Sequence, residues 1–290
     1  MTGPDFTFIA ALLKDRSGLI ITPDKGYLLE TRLGPIARER GLASLAALID
    51  ALRQPGSDAL KNQVVDAMTT NETSFFRDSH PFDTLRKSVI PGLIQRRASS
   101  RTLRVWSAAC STGQEPYSLA MTIKDHFPIL GNWRIEIIAT DISPSVLERA
   151  RAGTYSTFEV QRGLPIQMLV RHFDQVGETW RIKDDLRRNI TFRSANLLED
   201  IAGLGTFDIV LCRNVLIYFD QPTKTRIMHA IARRIAPDGA LLLGGAESVI
   251  GLCDAFTGFP GLKGVYGHTA QIPPKPARPT WPSLPLPAAS

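Results

Sequence analysis

Four short strings hold the residues able to do chemistry. In LRVWSAACSTGQEPYSLA, residues 103–120, the apolar Leu103, Val105 and Trp106 give way to small side chains at 107–113, and an amphipathic helix opens around Glu115 and Pro116. Small side chains let a ligand lie close to the backbone, and proline suits a first helical turn, where its missing N–H is not needed. A pyrophosphate site wants G-x-G-x-x-G. One glycine stands here, which implies a nucleoside-type cofactor without a pyrophosphate. In RIEIIATDISPSVLERAR, residues 134–151, Asp141 falls at the carboxyl end of a run containing Ile135, Ile137 and Ile138. A carboxylate there can accept hydrogen bonds from both hydroxyls of a ribose; capping the helix that starts at Ser143-Pro144 is the competing role. TTNETSFFRD, residues 69–78, sets polar groups and Arg77 beside Phe75 and Phe76, with a helix cap at Thr73 and two core phenylalanines as the plainer reading. In FDIVLCRNVLIYFD, residues 207–220, a buried strand ends in the polar turn Arg213-Asn214. The five histidines show no arrangement for acid–base work.

The elements that must position these residues alternate strand and helix from 103 onward, the pattern of a doubly wound sheet whose ligand crevice lies outside the strand ends. Before them, residues 1–70 read as short helices. Phe6, Ile9, Leu12 and Leu13 recur at helical spacing, the helix beyond Thr22-Pro23 carries Tyr27, Leu28, Leu33 and Ile36, and Thr22, Ser44 and Ser57 are candidate N-caps. Leu45, Leu48, Ile49 and Leu52, then Leu60, Val64 and Val65, continue the pattern. The βα rhythm breaks at 153–195, where Trp180 and Ile182, then Ile190 and Phe192, alternate with polar neighbours. That pattern suggests a small antiparallel β insertion after a helix around 166–173. A helix at 222–235 leads through Pro237-Asp238-Gly239 into the strand ALLLGGAE. From Gln271 the chain is Pro-rich and reads as a disordered tail or linker.

Composition narrows the class. With 290 residues and 43% hydrophobic content, two unequal cores are expected. No apolar run approaches membrane-spanning length and MTGPDF is no signal sequence, so a soluble chain that stays where it is made is expected. Cys110, Cys212 and Cys253 match no metal-site spacing and suit a reducing cytosol. The formal charge of +6 is uneven: residues 71–105 carry seven arginines and lysines against Glu72, Asp78 and Asp83, without a nucleic-acid-binding motif.

NETSFFRD (71–78), WSAACSTGQEPYSLA (106–120), ATDIS (139–143), NLL (196–198) and CRNVLIYFD (212–220), in this order across roughly residues 5–270, resemble the CheR family, the chemoreceptor glutamate O-methyltransferases. The resemblance implies an all-α N-terminal domain (1–70), a basic linker (71–100) and a Rossmann-like α/β methyltransferase domain (101–270) with a β-subdomain inserted at 153–195. It implies S-adenosylmethionine as cofactor, held by Asn71, Thr73 and Arg77 at the junction and by Glu115 at the methionine end. Asp141 would take the ribose, with Asn196, Leu197, Arg213 and Asn214 around the adenine and the reactive end. Arg77 and Tyr218 correspond to the pair nearest the transferred methyl. A glutamate carboxylate, with pKa about 4.3, is already ionised at neutral pH, so such a transfer needs no general base. An arginine fork would orient the carboxylate rather than activate it.

The implied partner is the cytoplasmic helical bundle of a membrane chemoreceptor, met by a monomeric cytoplasmic enzyme that neither inserts in a membrane nor binds nucleic acid. Arg32, Arg38 and Arg40 are candidates for steering onto an acidic helix. Relatives that tether a receptor tail peptide carry a glycine-rich extension in the β-subdomain. DQVGETW, residues 174–180, is short with one glycine, so no tight tail binding is expected. Methylation of RNA or another protein, and cofactor or receptor binding without turnover, are the alternatives.

Overall fold

The computed structural model describes residues 3–270, and the Pro-rich stretch from Gln271 lies outside them. Four helices, α1 (Gly3–Ser17), α2 (Gly26–Glu39), α3 (Leu45–Arg53) and α4 (Asp58–Met68), enclose a core of Ile9, Leu13, Leu29, Leu33, Leu48, Ile49, Val64 and Met68. Of the expected caps, Ser44 accepts from the Ala47 N–H at 3.2 Å. Ser57 instead donates back to the Leu52 and Gln54 carbonyls, and Thr22 precedes a 3₁₀ turn without a side-chain cap.

An irregular junction, 69–79, leads into α5 (His80–Thr84), which runs through a π turn into α6 (Ile90–Arg96). Thr73 therefore caps no helix. Next come β1 (Thr102–Ala108), α7 (Gln114–His126), β2 (Arg134–Asp141) and α8 (Pro144–Ala152). A small unit follows: β3 (Thr154–Ser156), α9 (Thr157–Gln161), α10 (Ile166–His172), β4 (Phe173–Val176), β5 (Thr179–Ile182) and α11 (Asp184–Arg187). The chain returns through β6 (Ile190–Ser194), β7 (Phe207–Cys212), α12 (Gln221–Ala232), β8 (Ile235–Leu243), β9 (Phe256–Gly258) and β10 (Val265–His268).

The main sheet has the order β6-β2-β1-β7-β8-β10-β9, parallel through its first five strands, with β10 and β9 antiparallel. Strand order reverses at β1, which places the ligand crevice outside the carboxyl ends of β1, β2 and β7. Both faces are covered, so the inner strands are nearly continuous apolar runs. Leu103 and Val105 face the layer of α7 and α6, while Trp106 and Ala108 face that of α12. The small sheet, β3-β5-β4, is antiparallel. The expected β insertion is thereby corrected at one strand: Ile190 and Phe192 sit in β6, paired in parallel with β2. An edge strand buries one side and wets the other, so β6 alternates like an antiparallel strand; its Phe192 ring packs 5.8 Å from that of Tyr117.

Candidate functional site

Eight of the ten expected residues, Asn71, Thr73, Arg77, Glu115, Asp141, Arg213, Asn214 and Tyr218, line one cavity of about 820 Å³ counted to its open mouth. Ala109, Cys110 and Ser111 form the wall from the β1 turn, and Leu19, Ile142, Val215 and Phe219 supply apolar surface.

The β1 turn is a strained piece of backbone. Ala109 (φ 54°), Ser111 (φ 51°) and Gly113 (φ 95°) all lie in the left-handed region, at a cost of about 1 kcal/mol or more for each non-glycine. Three contacts hold it. The Ser111 N–H donates to Asp141 Oδ2 at 2.8 Å, the Ser111 hydroxyl to the Asn71 carbonyl at 3.0 Å, and the buried Tyr155 hydroxyl to the Thr112 carbonyl at 2.7 Å. Asp141 also accepts from the Ser143 N–H at 3.0 Å, while Ser143 itself caps α8. Burial pushes the Asp141 carboxyl above the usual carboxylate range, and the N–H groups of Ser143 and Ser111 oppose that rise. With about four acceptor positions on a carboxylate, these two bonds leave capacity for a ribose hydroxyl pair.

Glu115, in the first turn of α7, accepts from the Ser107 hydroxyl at 2.7 Å and from Arg213 Nη1 at 3.0 Å. Arg213, expected with Asn214 around the adenine and the reactive end, lines the cavity and also ties its wall together. Its side chain is 1% exposed. From the turn after β7 it reaches Glu115 on α7, and on the junction the Arg77 carbonyl at 2.8 Å and Asp78 Oδ2 at 2.9 Å. It is a clamp that fixes the geometry of the wall. Arg77 donates one of its five N–H groups, to the Glu72 carbonyl at 2.7 Å.

Junction residues Phe76, Asp78 and Ser79 are also held at positive φ. Phe75 is fully buried, edge-on to Tyr155 and Phe173, so the reading of Phe75 as core is right. Its carbonyl oxygen would lie 2.2 Å from a Cβ at Gly163, so only glycine fits there and the small subdomain presses directly on the junction.

Asn196 and Leu197 are not brought to the wall. The Asn196 amide donates to the Arg16 carbonyl at 2.8 Å and its oxygen accepts from the Leu198 N–H at 3.0 Å, while Leu197 packs towards the α12 layer. Asn196 thus docks the N-terminal helices, together with Lys14–Asp220 at 2.8 Å and the Ile20 N–H on the Tyr218 carbonyl at 3.1 Å.

One residue escaped the sequence reading. Glu247, buried beyond β8, accepts from the backbone N–H groups of Asn214 (2.8 Å), Val215 (2.9 Å), Leu216 (2.7 Å) and Gly244 (2.7 Å). It holds the turn that carries Asn214, at φ 57°, and Tyr218. The only local signal is a glutamate after the paired glycines of ALLLGGAE.

No histidine is among the described residues on the wall, and burial pushes the Cys110 thiol up, keeping it protonated and poorly nucleophilic. The cavity can bind, orient and desolvate, and the carboxylates of Asp141 and Glu115 on its wall are already engaged by protein donors. The wall combines carboxylates with apolar surface, a mix that suits S-adenosylmethionine: Asp141 could accept from ribose hydroxyls and Glu115 from an ammonium.

Comparison with known proteins agrees. Residues 4–69 match the family described as "CheR methyltransferase, all-alpha domain" and residues 71–264 "CheR methyltransferase, SAM binding domain". The chain is 42% identical over 257 residues to "Chemotaxis protein methyltransferase Cher2" of Pseudomonas putida, covering 87% of this chain and 93% of that protein. It is 42% identical over 256 residues to "Chemotaxis protein methyltransferase 1" of Pseudomonas aeruginosa, with the same coverage, and 40% identical over 256 residues to a Vibrio parahaemolyticus counterpart, covering 87% and 92%. The chain belongs to the CheR family and is an S-adenosylmethionine-dependent methyltransferase of chemotaxis.

Proposed function

We propose that the enzyme esterifies glutamate side chains on the cytoplasmic helices of a chemoreceptor, with Arg77 and Tyr218 receiving the carboxylate. The observation that carries this is the wall itself. Arg77 and Tyr218 share the cavity with Asp141 and Glu115, whose carboxylates are engaged by Ser111, Ser143, Ser107 and Arg213, and no histidine stands among the described lining residues. A nucleophile ionised before it arrives is the kind such a site can use, which favours a carboxylate over an amine or hydroxyl. S-adenosylmethionine, when bound, supplies an electrophilic methyl on a cationic sulfur. The protein supplies position: an arginine fork and a tyrosine hydroxyl orient one carboxylate oxygen in line, at a near-attack separation of roughly 3–3.5 Å.

The β4–β5 hairpin turns on two residues, Gly177 (φ 60°) and Glu178. So short a connection supports the absence of tight binding to a receptor tail peptide. The test is incubation with methyl-labelled cofactor and a chemoreceptor cytoplasmic fragment. Label released from glutamate by mild base is the expected result; label confined to nitrogen, hydroxyl or RNA overturns the reading.

A further inference from the structure

Ile20 (37% exposed), Ile217 (47%) and Ile250 (87%) are among the large apolar side chains that the described surface exposes. Single exposed isoleucines are ordinary. Two of these three adjoin Tyr218, a residue of the wall, and the third shares a groove with one of them. Ile217 precedes Tyr218 in the chain, and the Ile20 N–H donates to the Tyr218 carbonyl at 3.1 Å, so the two isoleucines flank it, one from the N-terminal domain and one from the methyltransferase domain. Ile217 and Ile250 together line a shallow groove with Leu216, Gln221 and Lys224. That groove is braced. Glu247 accepts from the Val215 and Leu216 N–H groups, and the Gln221 amide donates to the Gly251 carbonyl at 2.9 Å.

We infer that Ile20, Ile217 and Ile250 form the shelf on which the substrate helix lies, accepting apolar side chains one turn away from the modified glutamate. The inference rests on the carboxylate substrate proposed above. A glutamate side chain is short, so its carboxylate reaches the wall only if the helix carrying it lies on the rim beside Tyr218. Neighbours at i±3 and i±4 stand about 5–6 Å from that glutamate on the same helix face, and they meet whatever borders the mouth. Beside Tyr218 that surface is apolar, from Ile20 and Ile217, and Lys224 at the groove's side adds a partner for an acidic neighbour. The occupant is therefore an amphipathic helix with aliphatic residues at these spacings and acidic flanks, bound as a helix in a groove. Isoleucine has few rotamers to lose when covered, which favours such a contact.

The test uses the full chain with Ile20→Ser, Ile217→Ser and Ile250→Ser, singly and combined. Two quantities are read: KM for a chemoreceptor cytoplasmic helical-bundle fragment and the dissociation constant of S-adenosylmethionine. Burial of part of an isoleucine predicts KM raised about fivefold by each substitution, and by more than about 25-fold in the triple variant. Cofactor affinity stays unchanged, and Ile217→Leu restores KM. Unchanged KM in the triple variant, with the parent enzyme turning over, overturns the shelf alone. A parent enzyme that leaves the fragment unmethylated overturns the carboxylate reading and the shelf with it. Self-association lost in the triple variant at unchanged KM gives the surface to a second copy of the chain and also overturns the inference.

Discussion

At the amino ends of β1, β7 and β8, the Arg97 guanidinium forks Asp238 and donates from Nε to Asp208 at 2.8 Å, and the Arg104 N–H donates to the other Asp208 oxygen at 2.8 Å. At the carboxyl ends of β1 and β2, Asp141 and Glu115 are equally well placed, yet part of their accepting capacity faces a cavity. Both ends use carboxylates held by arginine or backbone N–H groups. At the amino ends Arg97, Asp208 and Asp238 answer one another within the protein, which fixes linker helix α6 on the sheet. At the carboxyl ends the protein supplies some of the partners and a ligand is left to supply the rest. Substitution at one end should therefore cost stability, and at the other affinity or turnover.

The largest effect expected is on turnover. Arg77→Ala, which removes the carboxylate fork, lowers kcat/KM for the receptor fragment about 100-fold or more, with the melting temperature nearly unchanged. Unchanged turnover would remove Arg77 from the mechanism. Next is Asp141→Asn, expected to weaken the cofactor about tenfold to a hundredfold in calorimetry, since an amide accepts from one atom only.

Asp141 also gives the two ends opposite pH signatures. Its folded pKa is raised, so the stability it contributes is greatest at acid pH and falls as pH rises through that pKa. Ribose binding needs the ionised form and follows the reverse course. The cofactor-induced rise in melting temperature should therefore grow with pH from about 4 upward, and a flat profile would exclude Asp141 from the ribose. Arg97→Ala sharpens the contrast from the other side, with a loss of about 2–3 kcal/mol in stability and unchanged cofactor affinity. The Arg97 guanidinium holds Asp238 below the usual carboxylate range. The stability from that pair is present above pH about 4 and is lost as pH falls below it, a loss the variant should not show.

The sequence was most legible where one local string sets both element and role. Buried parallel strands make continuous apolar runs, so β1, β2 and β7 stand out, and Asp141 is visible because it ends such a run. Legibility fails where partners are distant in sequence. Glu247 serves N–H groups some 30 positions earlier, Arg213 joins residues about 100 and 135 positions away, and Asn196 bonds to a carbonyl 180 positions back. Nothing near any of the three announces the contact. Strand β6 misled for another reason: half-wet edge strands share the period-2 pattern of antiparallel ones.

The closeness of Gly163 to Phe75 bears on how this enzyme can be remodelled. A carbonyl already fills the room of a side chain at 163, so a subdomain exchanged with a relative's must bring a glycine to that position or displace the loop that carries Arg77. The hairpin tip at 177–178 is far from that contact along the chain. Lengthening the tip is thus the graft by which a peptide tether can be added while the methyl-transfer chamber keeps its shape.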